Sequence, residues 1–224
     1  MKKELKKGIE ESLSARKKRT LNIVRALRRA YPEASTALSF SSPLQLLISV
    51  ILSAQCTDAR VNMVTPALFK KYKSAKDFAR ADQRTLEAEI HSTGFFRNKA
   101  KNIIGCCRAL VEIHNGEVPS SMEELVRLPG VGRKTANCIL GGAYGIPAGI
   151  VVDTHVARIA GLLGLTKHSD PVKIESDLCE IVNQEEWIYL GNALIVHGRG
   201  VCIARRPKCP ECVLSRYCPS STVR

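Results

Sequence analysis

The sequence has no long hydrophobic run. Its longest apolar stretch, Leu44 to Ala54, is broken by Gln45, Ser49 and Ser53. That falls short of the ~18 apolar residues a helix needs to cross a bilayer, so no membrane-spanning helix is expected. The chain is also short of acid: 34 Lys and Arg stand against 21 Asp and Glu, a formal net charge of +13. Such an excess points to a polyanion, nucleic acid first and an anionic membrane surface second. Gly and Pro are few, and neither a low-complexity tract nor an internal repeat is present. What remains is ordinary globular composition, enough for one domain or two small ones with a real core. The lysine-rich start, Met1 to Thr20, lacks the apolar segment of a signal peptide, and Glu4, Glu10 and Glu11 make it too acidic for a transit peptide. A cytoplasmic or nucleoid location is therefore expected. In that setting free thiols or a metal site are favoured over disulfides.

Strand-like sequence is nearly missing as well. Gly149-Ile150-Val151-Val152 is β-rich but too short and isolated to found a sheet. Almost everything else shows helical periodicity, so the fold class read from the sequence is all-α. The spacing predicts a first helix over 16–31, stopped by Pro32, and a buried helix from Ser42-Pro43 through Ala54, with Ser as the N-cap and Pro at the first position. Further helices are predicted over 59–71, 84–92, 98–114, 121–127, 133–144, 154–163, 171–182 and 186–197. Two stretches stand apart, the glycine-punctuated turn Leu128–Gly132 and the cluster Cys202–Cys218.

Of nine cysteines, Cys202, Cys209, Cys212 and Cys218 read C-x6-C-x2-C-x5-C. Four thiolates in so short a span suit one soft metal centre, either tetrahedral zinc or an iron–sulfur cluster, and spacing alone does not separate the two. Cys209-Pro-Glu-Cys212 taken by itself suggests a thioredoxin-like redox pair, but no βαβ pattern surrounds it. The remaining cysteines, Cys56, Cys106, Cys107, Cys138 and Cys179, fit small buried apolar positions along helices. Arg205, Arg206 and Lys208 lie between the first two ligands. A cationic loop braced by a metal centre suits phosphate contact, the alternative being a solvated basic loop.

Met122–Leu140 reads helix, turn, helix, with Gly130 and Gly132 in the turn. Glycines there leave backbone N–H groups uncovered at the start of the second helix, where the dipole also favours a phosphate. A nucleotide P-loop is excluded, because Arg133 separates Gly132 from Lys134-Thr135 and no strand precedes the turn. A helix–hairpin–helix that grips a nucleic-acid backbone without reading its sequence fits better, with Arg133 among the contacts. Lys134, in the first turn of the second helix, has two readings. One is a further phosphate-binding lysine. The other is a nucleophilic amine, desolvated in a cleft so that its pKa falls toward neutrality, attacking a sugar carbon. Asp153 is placed to cap the helix that follows it. A carboxylate held there stays ionised, able to accept the lysine proton or stabilise a cationic sugar.

Four segments, LPGVGRKTAN, VDTHVARIAG, HGRGVCIARRPKCPECVLSRYC and SAQCTD, together resemble endonuclease III, the bifunctional DNA glycosylase/lyase of the helix–hairpin–helix superfamily. The resemblance runs from about Lys18 to Cys218 with the motifs in the family's order. It implies two helical domains with a cleft between them: a six-helix barrel over 35–146 carrying the hairpin 122–144, and a cluster domain built from 18–34 and 147–224. It implies one four-iron four-sulfur cluster on the four cysteines. Lys134 resembles the family's catalytic lysine and Asp153 its essential aspartate. Gln55 resembles the glutamine that fills the space of an extruded nucleotide, and Phe95 stands where the family inserts an apolar wedge. Without the resemblance, Gln55 reads as a buried amide at a helix end and Phe95 as ordinary core.

The implied partner is double-stranded DNA carrying damaged pyrimidines or abasic sites, met by a monomer. The implied reaction flips the damaged nucleotide out, displaces the base through a lysine Schiff base and nicks the strand on the 3′ side by β-elimination. Three departures stand out. Lys134 to Asp153 is one residue longer than the family spacing, within Ile146–Ile150. Phe95 is bulkier than the leucine expected at the wedge. Residues 1–17 extend before the usual start, and over the first twenty residues eight basic side chains against three glutamates give a net +5, the mark of an arm with non-specific DNA affinity. The competing functions are a glycosylase for mismatched thymine or uracil and a non-catalytic iron–sulfur DNA-binding protein.

Overall fold

The computed structural model describes residues 11–223, and among them it is helical throughout, with no strand. Its α-helices are α1 (Leu13–Ala30), α2 (Pro43–Ser53), α3 (Asp58–Lys71), α4 (Ala75–Ala79), α5 (Gln83–Glu89), α6 (Phe96–Ile113), α7 (Met122–Leu125), α8 (Arg133–Tyr144), α9 (Thr154–Leu162), α10 (Pro171–Ile181) and α11 (Trp187–Gly200). No helix among the described residues is long and apolar enough to cross a membrane. The chain forms two compact units: one from the chain up to Ala34 together with Val152 onward, the other from Ser35–Val151.

The unit Ser35–Val151 is organised around α2 and α6. The hydroxyl of Ser42 accepts the N–H of Gln45 at 3.3 Å with Pro43 at the first position, so α2 begins where the sequence placed it. Leu46, Leu47, Ile48 and Leu52 of α2 are buried with Ile103 and Leu110 of α6, Leu86 of α5, Leu125 of α7 and Ile139 of α8. Each such side chain contributes about 1.5–3 kcal/mol by leaving water. The short α4 was not foreseen. A reciprocal cap between Ser74 and Asp77 starts it, and it seats Phe78 on the ring of Tyr72 with centroids 4.8 Å apart.

The other unit packs α1 on α10 and α11, and α9 on both of those helices. Ile23, Val24 and Leu27 of α1, Val156 and Ile159 of α9, Leu178 of α10 and Leu194 of α11 are buried. Gly198 on α11 permits the close seating of α9, because a side-chain carbon there would stand 2.9 Å from Cβ of His155. One expectation is corrected: an arm reaching residue 17 does not hold for Leu13–Lys17. Ser12 caps α1 by accepting the N–H of Ala15 at 3.2 Å, so these residues are helical. Arg19 then ties α1 down, donating to Glu11 at 2.7 Å and to the carbonyls of Leu163 at 2.6 Å and Tyr217 at 3.2 Å. Residues 1–10 of the proposed arm, with Lys2, Lys3, Lys6 and Lys7, lie outside the described residues.

Candidate active site

The hairpin between α7 and α8 is shaped by one strained and one open glycine. The N–H of Val131 donates to the carbonyl of Leu128 at 3.1 Å, and both side chains are buried, which pins the turn to the core. Gly130 has φ of +77°, and a side-chain carbon there would lie 2.8 Å from Cβ of Asn102 on α6. Gly132 is the N-cap of α8 and, lacking a side chain, makes no capping bond. No capping side chain therefore covers the start of α8, the end of a helix that favours an anion. Arg133 and Lys134 follow at once, both exposed. The sequence expectation that Lys134 is partly desolvated is corrected, since the described residues leave it in water.

Asp153 belongs to the other unit, as the N-cap of α9. One carboxylate oxygen, Oδ1, accepts the N–H groups of His155 and Val156, each at 2.8 Å. The side chain is half-buried, with the buried residues Val152 and Val156 on either side in the chain. Two backbone donors on a single oxygen orient the carboxylate and leave Oδ2 without a hydrogen bond among the described residues.

Gln55 and Phe95 are neither a buried amide nor core. Both are exposed, Phe95 at 68%. Gln55 occupies the turn between α2 and α3 with φ of 53°, and Phe95 the residue before α6 with φ of 48°. Among the described residues only Asn115 shares a positive φ without being glycine. A side chain in that region costs of order 1–3 kcal/mol and persists where surrounding structure over-determines it.

Cys202, Cys209, Cys212 and Cys218 line one pocket together with Leu162, Val201, Pro207, Lys208 and serines 215, 220 and 221. All four are free thiols. Burial pushes the Cys202 and Cys212 thiols up, while hydrogen bonds from Thr222 hold Cys209 down. A positive metal centre would remove the cost of ionising the buried pair, so the donor set suits a soft metal. The support behind the sulfurs was not legible in the sequence. Arg158 on α9 donates to the carbonyl of Cys202 at 2.5 Å and to that of Gly198 at 3.2 Å, linking the cysteine loop to the helix that Asp153 caps. His197, almost wholly buried, lies 3.4 Å through Nε2 from Sγ of Cys212 and 2.9 Å through Nδ1 from the hydroxyl of Tyr31. Arg205, Arg206 and Lys208 stand exposed on the loop between the first two cysteines.

Residues 48–184, more than half the chain and inclusive of Lys134 and Asp153, match the HhH-GPD superfamily of base excision DNA repair proteins. The chain is 53% identical over 209 residues to endonuclease III of Synechocystis sp., covering 93% of this chain and 95% of that protein. The chain belongs to the endonuclease III family. It is accordingly a base excision repair enzyme, a DNA glycosylase/AP lyase. Two solved endonuclease III structures superpose with a TM-score of 0.87 at 42% identity, covering 92% of this chain and 96% of theirs. One is a non-covalent endonuclease III–DNA complex and the other a trapped covalent endonuclease III–DNA intermediate. The structure thus brings Gly130, Gly132, Arg133 and Lys134 into one hairpin and the four cysteines to one pocket, and it sets Asp153 at a helix start. Sequence reasoning missed Arg158, Tyr31 and His197, whose roles depend on what they reach in space.

Proposed function

We propose that the enzyme removes oxidised pyrimidines from double-stranded DNA and cleaves 3′ to the resulting abasic site by β-elimination through a Schiff base on Lys134. The observation that carries this is the exposed Lys134 amine beside the uncapped amides of α8. The hairpin amides and Arg133 hold the backbone as a positional grip, and bound DNA supplies the water exclusion that the free protein lacks around Lys134. Extruding the nucleotide costs a few kcal/mol, less for a damaged base. Gln55 and Phe95 fill the space left behind, as intercalating side chains do.

The neutral amine of Lys134 then attacks C1′ and the base departs with its bonding electrons. Asp153 accepts the proton released by the attacking amine or stabilises the cationic sugar. Ring opening gives the Schiff base, loss of a C2′ proton expels the 3′ phosphate, and water frees the lysine. Support for a covalent route comes from the trapped covalent endonuclease III–DNA intermediate, to which this chain is similar along nearly all its length.

Cys202, Cys209, Cys212 and Cys218 would hold one four-iron four-sulfur cluster. Two things support this: the four thiols line a common pocket, and their C-x6-C-x2-C-x5-C spacing resembles the family pattern. When bound, the cluster braces the loop that presents Arg205, Arg206 and Lys208 to phosphate. The enzyme acts as a monomer in the cytoplasm, on the nucleoid. A substrate panel tests the reading: thymine glycol and an abasic site are processed, while duplexes with mismatched uracil or thymine are not. Faster release of a mismatched base than of thymine glycol would overturn it.

A further inference from the structure

Lys99, on α6, is 3% exposed, and its ammonium donates to two backbone carbonyls, Leu52 at 2.7 Å and Thr93 at 2.8 Å. A buried ammonium ordinarily needs an anion beside it, because desolvating the charge is costly. Here the partners are neutral, and burial holds the lysine below its usual pKa, with Cys56 acting in the opposite sense.

The two carbonyls share a feature. Leu52 lies in the last turn of α2, where carbonyls have no partner within the helix, three residues before Gln55. Thr93 closes the short 3-10 turn His91–Thr93, two residues before Phe95. The backbone N–H of Lys99 also donates to the carbonyl of Phe95 at 3.1 Å. One residue thus grips the Gln55 turn and the Phe95 turn, two of the three places among the described residues where a non-glycine side chain takes the left-handed region.

We infer that Lys99 is a positioning residue, fastening the Gln55 turn and the Phe95 turn to α6 so that the two side chains enter the duplex as one preset unit. The inference rests on the reading of Gln55 and Phe95 as the groups that fill the vacated space. An apolar side chain of equal length would strand two buried carbonyls and release the turns from each other.

The test compares two rates in the holoenzyme: single-turnover excision of thymine glycol from a duplex, and β-elimination at an abasic site in single-stranded DNA, where no space opens opposite the lesion. Lys99→Met, Lys99→Gln, Gln55→Ala, Phe95→Ala and the double variant Lys99→Met/Phe95→Ala are compared, with thermal melting alongside. Lys99→Met is expected to lose about 10- to 100-fold on the duplex, the scale of a small misplacement, and less than about threefold on the single strand. Lys99→Gln, whose amide donates two hydrogen bonds, recovers part of the loss. Adding Lys99→Met to Phe95→Ala costs less than about threefold more, the sign of a shared function. Equal losses on both substrates, no loss on the duplex, or multiplicative losses in the double variant would overturn the inference. Should Lys99→Met fail to fold, Lys99→Gln carries the same comparison. If Gln55→Ala and Phe95→Ala show no duplex-specific loss, the wedge reading fails and takes this inference with it. If they show one and Lys99→Met does not, the inference alone fails.

Discussion

Gln55 and Phe95 share the left-handed backbone region, with φ of 53° and 48°, and project from turns at the start of α3 and α6. Neither is glycine, and neither is kept in place by burying its side chain. Strain without a packing return is expected where a side chain is aimed for use. Glycine at either site should therefore leave stability within about 1 kcal/mol of the parent or raise it, since relief of strain offsets the added chain entropy. Duplex excision should fall at least about tenfold in the same proteins, as the space-filling group is gone. Urea melts and single-turnover assays check both. A glycine variant that melts early and excises normally would assign these side chains to folding instead.

Substitution can separate the capping role of Asp153 from the catalytic role proposed for it. Its Oδ1 caps α9 through His155 and Val156. Asparagine keeps that acceptor, so Asp153→Asn should fold within a few tenths of a kcal/mol of the parent. Turnover should still drop about 10²-fold or more, because the negative charge is lost. Asp153→Ala should add the cost of a missing cap, about 1 kcal/mol. Full activity in Asp153→Asn would leave the residue with a structural part only.

The two hairpin glycines differ in kind. At Gly130 a methyl group meets Asn102 at 2.8 Å in a backbone with φ of +77°, so Gly130→Ala should cost about 1–3 kcal/mol in stability. Gly132 has φ of −94° and nothing near its missing side chain, so Gly132→Ala should fold normally. Both should bind DNA more weakly, regardless of sequence or damage, as the first amides of α8 become shielded or displaced. Melting curves paired with DNA titrations distinguish the two outcomes.

Arg205, Arg206 and Lys208 are exposed on the loop between Cys202 and Cys209. Lys208 has a carboxylate nearby, Glu211 at 3.8 Å, a surface pair of little strength. Replacing each basic residue by alanine should reduce the slope of log affinity against log salt by about 0.9 for every phosphate contact removed. Damaged and intact duplexes should be affected equally. An unchanged slope would make the loop a solvated surface.

Helix positions were legible in the sequence wherever a cap and a long apolar stripe coincided. The limits of α8 match the expected 133–144, and α10 ends within one residue of its expected 171–182. The short α4 escaped, because its five residues cannot show a period, although the still shorter α7 falls within the expected 121–127. The start of α1 was placed late because Ser12 was not recognised as a cap. In the candidate site the cysteine quartet stands out by spacing, whereas spacing left Lys134 with two readings and the family resemblance favoured the nucleophile. Gln55 and Phe95 gave no such signal, since a φ angle is not written in residue type. Lys99 looked like one more cation in a chain of net charge +13, and only burial separates it from the rest.

Borohydride reduction during turnover on a thymine-glycol duplex tests whether Lys134 is the nucleophile. The parent enzyme should become covalently attached to DNA, whereas Lys134→Ala, folded and still binding the duplex, should give no adduct. An adduct of equal yield in Lys134→Ala, or none from the parent with any lesion, would contradict the account.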